Sequence, residues 1–186
     1  MFVFIVRVLF LYFWAMYGII FFVIIVSLAI SGYSMAPWVP TRKKDIKRVT
    51  DIVILQDWEK FLEVWAWDAR ISAAIARKYP NNSIVGIEMA FPIYFMALIR
   101  KYISGPKNMK LKLANAFKED FWNYHAIYVF GMPDKMQKKI VPKFLKEAKS
   151  WAKLYSYVFS IPEEWRENTM SYGEENEAKI HVLEKI

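Results

Sequence analysis

The chain has 186 residues, no cysteine, two histidines and a formal charge of +8 at neutral pH. Disulfides, thiolate catalysis and cysteine-ligated metals are excluded, and a zinc site is not expected. Apolar residues make up 56% of the chain, but residues 1–34 are almost wholly apolar. The remaining stretch of about 150 mixed residues is the size of one ordinary domain.

Val8 to Ile30, "VLFLYFWAMYGIIFFVIIVSLAI", carries no charge. As a helix it spans roughly 34 Å, against about 30 Å for a bilayer core. It is longer than the apolar region of a signal peptide, about 7–15 residues. A retained, single-pass transmembrane anchor is therefore expected over 1–34. Tyr12, Trp14 and Tyr17 lie inside the run and form no interfacial belt. Arg7 precedes it, whereas Arg42, Lys43, Lys44, Lys47 and Arg48 follow it. The positive-inside rule then places the rest of the chain on the cytoplasmic side. The membrane lipid bilayer is the expected partner of both the helix and the positive charge. No nucleic-acid partner is expected, because the chain shows neither a recognised motif nor exposed aromatics between basic residues.

"SGYSMAPWVPT" (31–41) reads as a Gly/Ser/Pro linker, and residues 42–55 place Ile46, Val49, Ile52 and Val53 at helical spacing. Linker and leading helix occupy 35–56, and the domain proper 57–186. Strands are expected at 60–64, 83–88, 109–115, 125–131, 152–161 and 178–186. Helices are expected at 68–79, at 91–103 with Pro92 in its first turn, and at 134–149. In the last of these Asp134 is the expected N-cap, and Pro142 kinks or divides the helix. Strand and helix alternate with short connections. That pattern implies an α/β, doubly wound, mostly parallel sheet with helices on both faces. Ligands of such sheets sit beyond the carboxyl ends of the strands, at the switch point. "VWAWDAR", after the first strand, lies there.

Residues 35–186 resemble the class I S-adenosylmethionine-dependent methyltransferases. Within that Rossmann-like group the likeness is to small membrane-anchored members related to protein lysine methyltransferases. "APWVPT" is similar to a Pro-Phe-Val-Pro-Thr element that precedes the domain in that group. "FLEVWAWDAR" stands where the family has a strand, an acid and Gly-x-Gly-Asp-Gly-Arg. "VGIE" matches the second strand with its terminal acid, "NAF" the family's Asp-Ala-Phe, and "IYVFGMP" and "YSYVFSIPEEW" the fourth and fifth strands with their exits. The resemblance implies S-adenosylmethionine as cofactor and methyl transfer to a protein side chain, lysine among the candidates, on a membrane-associated partner.

It also implies site residues. Glu88, 19 residues after Ala69, takes the place of the acid that accepts hydrogen bonds from both ribose hydroxyls. Asn115 would lie near the adenine, and Glu63 and Asp68 beside the cationic amino-acid end of the cofactor. Trp65, Trp67 and Ala69 occupy the glycine positions of the cofactor loop. Arg70 is expected to pair near the first helix. No general base is identifiable; Tyr128 and His125 are candidates. An NAD-type fingerprint fails because its sixth position is Arg70, and neither a serine-hydrolase elbow nor a Walker loop occurs.

The tryptophans need an explanation. The family glycines make a tight turn, admit the ligand and let the helix pack on the strand. An indole at 65 or 67 would strain a backbone of positive φ or fill the cofactor space. Trp58 and Trp151 stand at two further family turn glycines, and Trp122 is another candidate. Glycine is scarce at six residues, roughly 3% against a usual 7% or so, while tryptophan is abundant at eight. Drift at a dead site would not place one rare residue at remote turns. We therefore hypothesise that the gene uses UGA for glycine, as some bacterial lineages do, and was translated with a table that reads it as tryptophan. UGG codons at 58, 65, 67 and 151 would end that idea. The competing reading is a membrane-tethered pseudo-methyltransferase, a binding or scaffold module with a blocked cofactor loop.

Overall fold

The computed structural model describes residues 2–34 and 41–186. Helix α1 (Phe2–Ser34) contains a stretch, Phe2–Ala29, long and apolar enough to cross a membrane, with a mean hydropathy of 2.5. The linker expected over 31–41 falls mainly outside the described residues, and α1 itself runs on to Ser34.

The rest is a seven-stranded sheet in the order β3-β2-β1-β4-β5-β7-β6. Strands β1 (Lys60–Val64), β2 (Ser83–Glu88), β3 (Met109–Leu113), β4 (Ala126–Val129) and β5 (Lys153–Tyr157) are parallel. β7 (Ile180–Glu184) pairs antiparallel with β5, and β6 (Thr169–Tyr172) antiparallel with β7. The strand order reverses between β1 and β4, so the switch point lies beyond Val64 and Val129.

Because successive strand residues face opposite sides, each strand feeds two cores. Phe61, Ile84, Tyr128 and Tyr155 join α2 (Lys43–Ile52), α3 (Arg70–Lys78) and α4 (Phe91–Ser104) on one face. Leu62, Val64, Ile127 and Leu154 meet Phe144 and Ile140 on the other. Both faces of β1, β2, β4 and β5 are buried, so these strands read as near-continuous apolar runs, whereas β3, at the sheet edge, is mostly exposed and alternates.

One local expectation is met and another fails. The helix expected over 134–149 is divided near Pro142, as expected, into α5 (Pro133–Lys135), a π turn at Met136–Ile140 and α6 (Val141–Glu147). Pro142 lacks the N–H that would close an α-helical ring to residue 138, and the widened turn precedes it. Asp134 is not the N-cap. Met132 holds that position, and Asp134 lies inside the first turn, paired with Lys138 at 2.6 Å. β6 escaped the sequence reading because it is a short edge strand whose residues are mostly exposed and which carries no apolar run.

Candidate cofactor site

The β1–α3 turn is built on left-handed backbone. Trp65, Trp67 and Ala69 have φ of 60°, 53° and 56°. Trp58 and Trp151 have φ of 69° and 70°. All four tryptophans singled out from the family glycine positions thus occupy the region where a bulky L-residue is an outlier. Trp122, raised as a further candidate, does not. It sits in a 3-10 turn, its N–H donating to Asp120 Oδ1 at 3.0 Å. Val158, with φ of 76°, is left-handed too, and nothing in the structure explains why valine stands there.

Both indoles of the turn go into the switch-point crevice. Trp65 is 2% exposed and lies edge-on to Phe117, ring centroids 5.9 Å apart. It covers the end of β4 so closely that a Cβ on Gly131 would fall 1.9 Å from its ring. Trp67 is buried against Ala90, Ile93 and Met132. Among the described residues, neither indole N–H has a hydrogen-bond partner. An orphaned buried donor costs about 1–3 kcal/mol, so the crevice accommodates these rings without having been shaped for them.

Beneath the indoles, the loop is tied to β2 and to the carboxylate that ends it. Ala66 N–H donates to Ile87 O at 2.8 Å, tying the turn to β2. Gly86 permits this approach: a Cβ there would lie 2.9 Å from that of Ala66. Glu88 is 3% exposed and closes the end of β2. Its Oε2 accepts from Trp67 N at 3.1 Å, and its Oε1 from Met89 N and Ala90 N, both at 2.8 Å. Burial pushes its pKa up, against the pull of the three amides.

The other expected site residues are placed as follows. Asn115 is half-buried after β3, and its Oδ1 accepts from Phe117 N at 3.0 Å, capping a 3-10 turn. Asp68 is held by two guanidiniums, Arg70 Nε at 2.8 Å and Arg100 at 3.1 Å. Arg70 also donates to Thr41 O, so it pairs near α3 as expected. Glu63 points away from the crevice, under the start of α3. Its Oε2 accepts from Ser72 N at 2.8 Å and Ser72 Oγ at 2.6 Å. Ala69, at the N-cap, has no side chain to do that job. Burial raises the Glu63 pKa to about 8. Sequence reasoning missed this role because the two partners meet only once β1 has entered the sheet.

Neither base candidate faces the crevice. His125 precedes β4, at the opposite edge of the sheet, and its Nδ1 accepts from Lys60 N. Tyr128 is 1% exposed, and its hydroxyl is 2.8 Å from Thr41 Oγ1. Thr41 ends the "APWVPT" element, whose other residues lie outside the described structure.

This arrangement is the Rossmann-like fold of the class I S-adenosylmethionine-dependent methyltransferases. Among solved structures, the chain is similar to an RNA methyltransferase from Salinibacter ruber in complex with S-adenosyl-L-homocysteine, with a TM-score of 0.68 and 18% identity over 78% of this chain and 93% of that one. It is also similar to precorrin-6y C5,15-methyltransferase from Geobacter metallireducens, with a TM-score of 0.60 and 13% identity over 82% and 94% of the two chains. A third likeness is to an O-methyltransferase from Thermotoga maritima, with a TM-score of 0.64 and 9% identity over 79% and 66%. At such identities the likeness is one of fold. No protein-family model matches the chain, and no curated protein matches it.

Proposed function

We propose that the functional protein is a membrane-anchored, S-adenosylmethionine-dependent methyltransferase carrying glycine at positions 58, 65, 67 and 151. One observation carries this reading. The four tryptophans that stand at family glycine positions are all left-handed, although two lie in the crevice and two are exposed turns far from it. A single cause at the level of the codon explains both pairs, whereas loss of a binding site explains only the first.

With tryptophan in place, the crevice does not fit the cofactor, because two rings occupy it. With glycine at 65 and 67, Glu88 would meet the ribose, Asn115 the adenine, and the loop amides with Asp68 the amino-acid end. The cofactor supplies an activated methyl group. The protein's part is to hold acceptor and methyl in line and to exclude water. The proposed acceptor is a protein side chain, lysine foremost, on a membrane-associated partner. The family likeness and the apolar α1 support that choice. The solved relatives named above include an RNA methyltransferase, so the acceptor test must include RNA.

Calorimetry with S-adenosylmethionine on the two forms of the chain is the direct test. Displacing two buried indoles forfeits about 3 kcal/mol or more, which is at least ~100-fold in affinity. The glycine form is therefore expected to bind, and the tryptophan form to bind at least that much more weakly. Equal, tight binding by both would sink the steric argument. Labelled cofactor added to membranes, to the soluble protein fraction and to RNA then identifies the acceptor class.

The scaffold reading has one observation in its favour: Trp65 is as well buried as core residues. It predicts UGG at all four codons and no binding by either form.

A further inference from the structure

We infer that α4 is a second membrane contact, its outer face lying along the bilayer surface beside the end of α1. Phe91, Phe95, Met96, Ile99, Tyr102 and Ile103 are all exposed, Tyr102 at 94% and Ile103 at 76%. At 100° per residue they share one uncharged arc of about 140°. The inward side of the helix is Ile93 and Ala97. Exposed apolar residues scattered singly need no explanation, but a continuous arc of this kind marks a binding surface.

Three observations select a bilayer as the occupant. The first is position. Phe91 N–H donates to Ser27 Oγ of α1, and Phe22, Val23, Val26, Ser27 and Met89 line a cleft between α1 and the end of β2. The second is length. The apolar stretch of α1 has 28 residues, against about 20 needed to cross the hydrocarbon. Its last turns therefore pass through the headgroup layer, and the first turn of α4 meets them at that depth. The third is charge. Lys101 flanks the arc on one side and Arg100, which is ion-paired to Asp68, on the other, and Lys107 and Lys110 follow on the turn and on β3. An apolar helix face bordered by basic residues is the pattern of an interfacial helix on anionic lipid.

This inference rests on α1 being a membrane span, as proposed above. It adds an orientation. With α4 lying flat, the β3 edge of the sheet is next to the lipid and the β6 edge farthest from it. Glu88, three residues before Phe91, then opens close to the headgroups, so an acceptor would be met at the membrane surface.

The chain has no cysteine, so single-cysteine labelling is clean. The full chain carrying Ile19→Cys, Phe95→Cys, Tyr102→Cys or Glu175→Cys would be labelled with an environment-sensitive fluorophore. Each would be placed in phosphatidylcholine–phosphatidylglycerol vesicles containing lipids with a nitroxide on the acyl chain. Labels at 19, 95 and 102 are expected to be blue-shifted and quenched, and the label at 175, on the far edge, to be neither. A quenched label at 19 with a water-like label at 102 would overturn the α4 contact and leave the anchor standing. An unquenched label at 19 would overturn the anchor, and the α4 contact with it. A blue shift at 102 that grows with protein concentration but shows no quenching would mean a second copy covers the face, and would overturn the lipid contact. None of these readouts depends on cofactor binding, so they are independent of whether the chain transfers methyl groups.

Discussion

Trp58 and Trp151 are 80% and 72% exposed, so no buried surface compensates for their left-handed backbone. Glycine relieves that strain, which is about 1 kcal/mol or somewhat more per site. Trp58→Gly and Trp151→Gly are each expected to raise the melting temperature by a few degrees, as read by thermal denaturation in detergent. Trp122→Gly, at a residue without positive φ, should give no such gain. Inside the crevice the balance differs. Trp65→Gly with Trp67→Gly removes strain and two orphaned donors, but also the burial of two large side chains, which is worth about 3–5 kcal/mol each. The double variant should be less stable alone and regain stability as S-adenosylmethionine is added, by mass action on the folded state. A melting temperature that ignores the cofactor would count against the assignment. Glu63 gives a pH signature. Its folded pKa, about 8, lies above the ordinary carboxylate value near 4.3. The folded state therefore binds the proton more tightly. The contribution is fully present below about pH 4, and is lost as pH rises towards 8. Glu63→Gln keeps an acceptor for Ser72 and has no charge to bury. Its stability should exceed that of the parent chain at pH 8 by more than it does at pH 5, as seen in melts at the two values.

Among the elements, the inner parallel strands were legible because burial on both faces demands continuous apolar runs, as in "KFLEV" and "SIVGIE", and the edge strand β3 was legible from the alternation of "MKLKL". The helices α3 and α4 were legible from spacing and from Pro92. What the sequence hid were features set by tertiary geometry and not by local pattern. The cap on α3 comes from Glu63, on the strand that precedes it, and the side chain meets Ser72 only when the helix has packed back on β1. The π turn at Met136–Ile140 depends on Pro142 and on packing against the core, and the pattern around Asp134 pointed to an ordinary helix start. β6 exists only as a pair to β7. The site was legible in part: the turn, Glu88 and Asn115 fall at the carboxyl edge, whereas Tyr128 and His125 fall elsewhere. The π turn offers a test at this scale. Pro142→Ala restores an N–H and removes the reason for the widened turn. The change is expected to leave stability the same or higher by up to about 1 kcal/mol, measured as a melting shift. A marked loss would show that the turn is set by the core and not by the proline.

At the scale of the whole molecule, the carboxyl ends of the strands carry the candidate cofactor crevice, and the helix after β2 touches the apolar span. The loop geometry around Ala66, Gly86 and Glu88 persists although two rings sit where a ligand should be. If the tryptophan chain fails to bind the cofactor, as proposed, fold and binding competence are separable in it. That separation has a consequence for the left-handed tryptophans. If UGA encodes glycine in the native cell, a laboratory host that reads UGA as tryptophan would make a chain that folds and enters the membrane, yet is inert. The gene would be identical in both cells. The difference between a working enzyme and a mute copy would reside in one transfer RNA of the host.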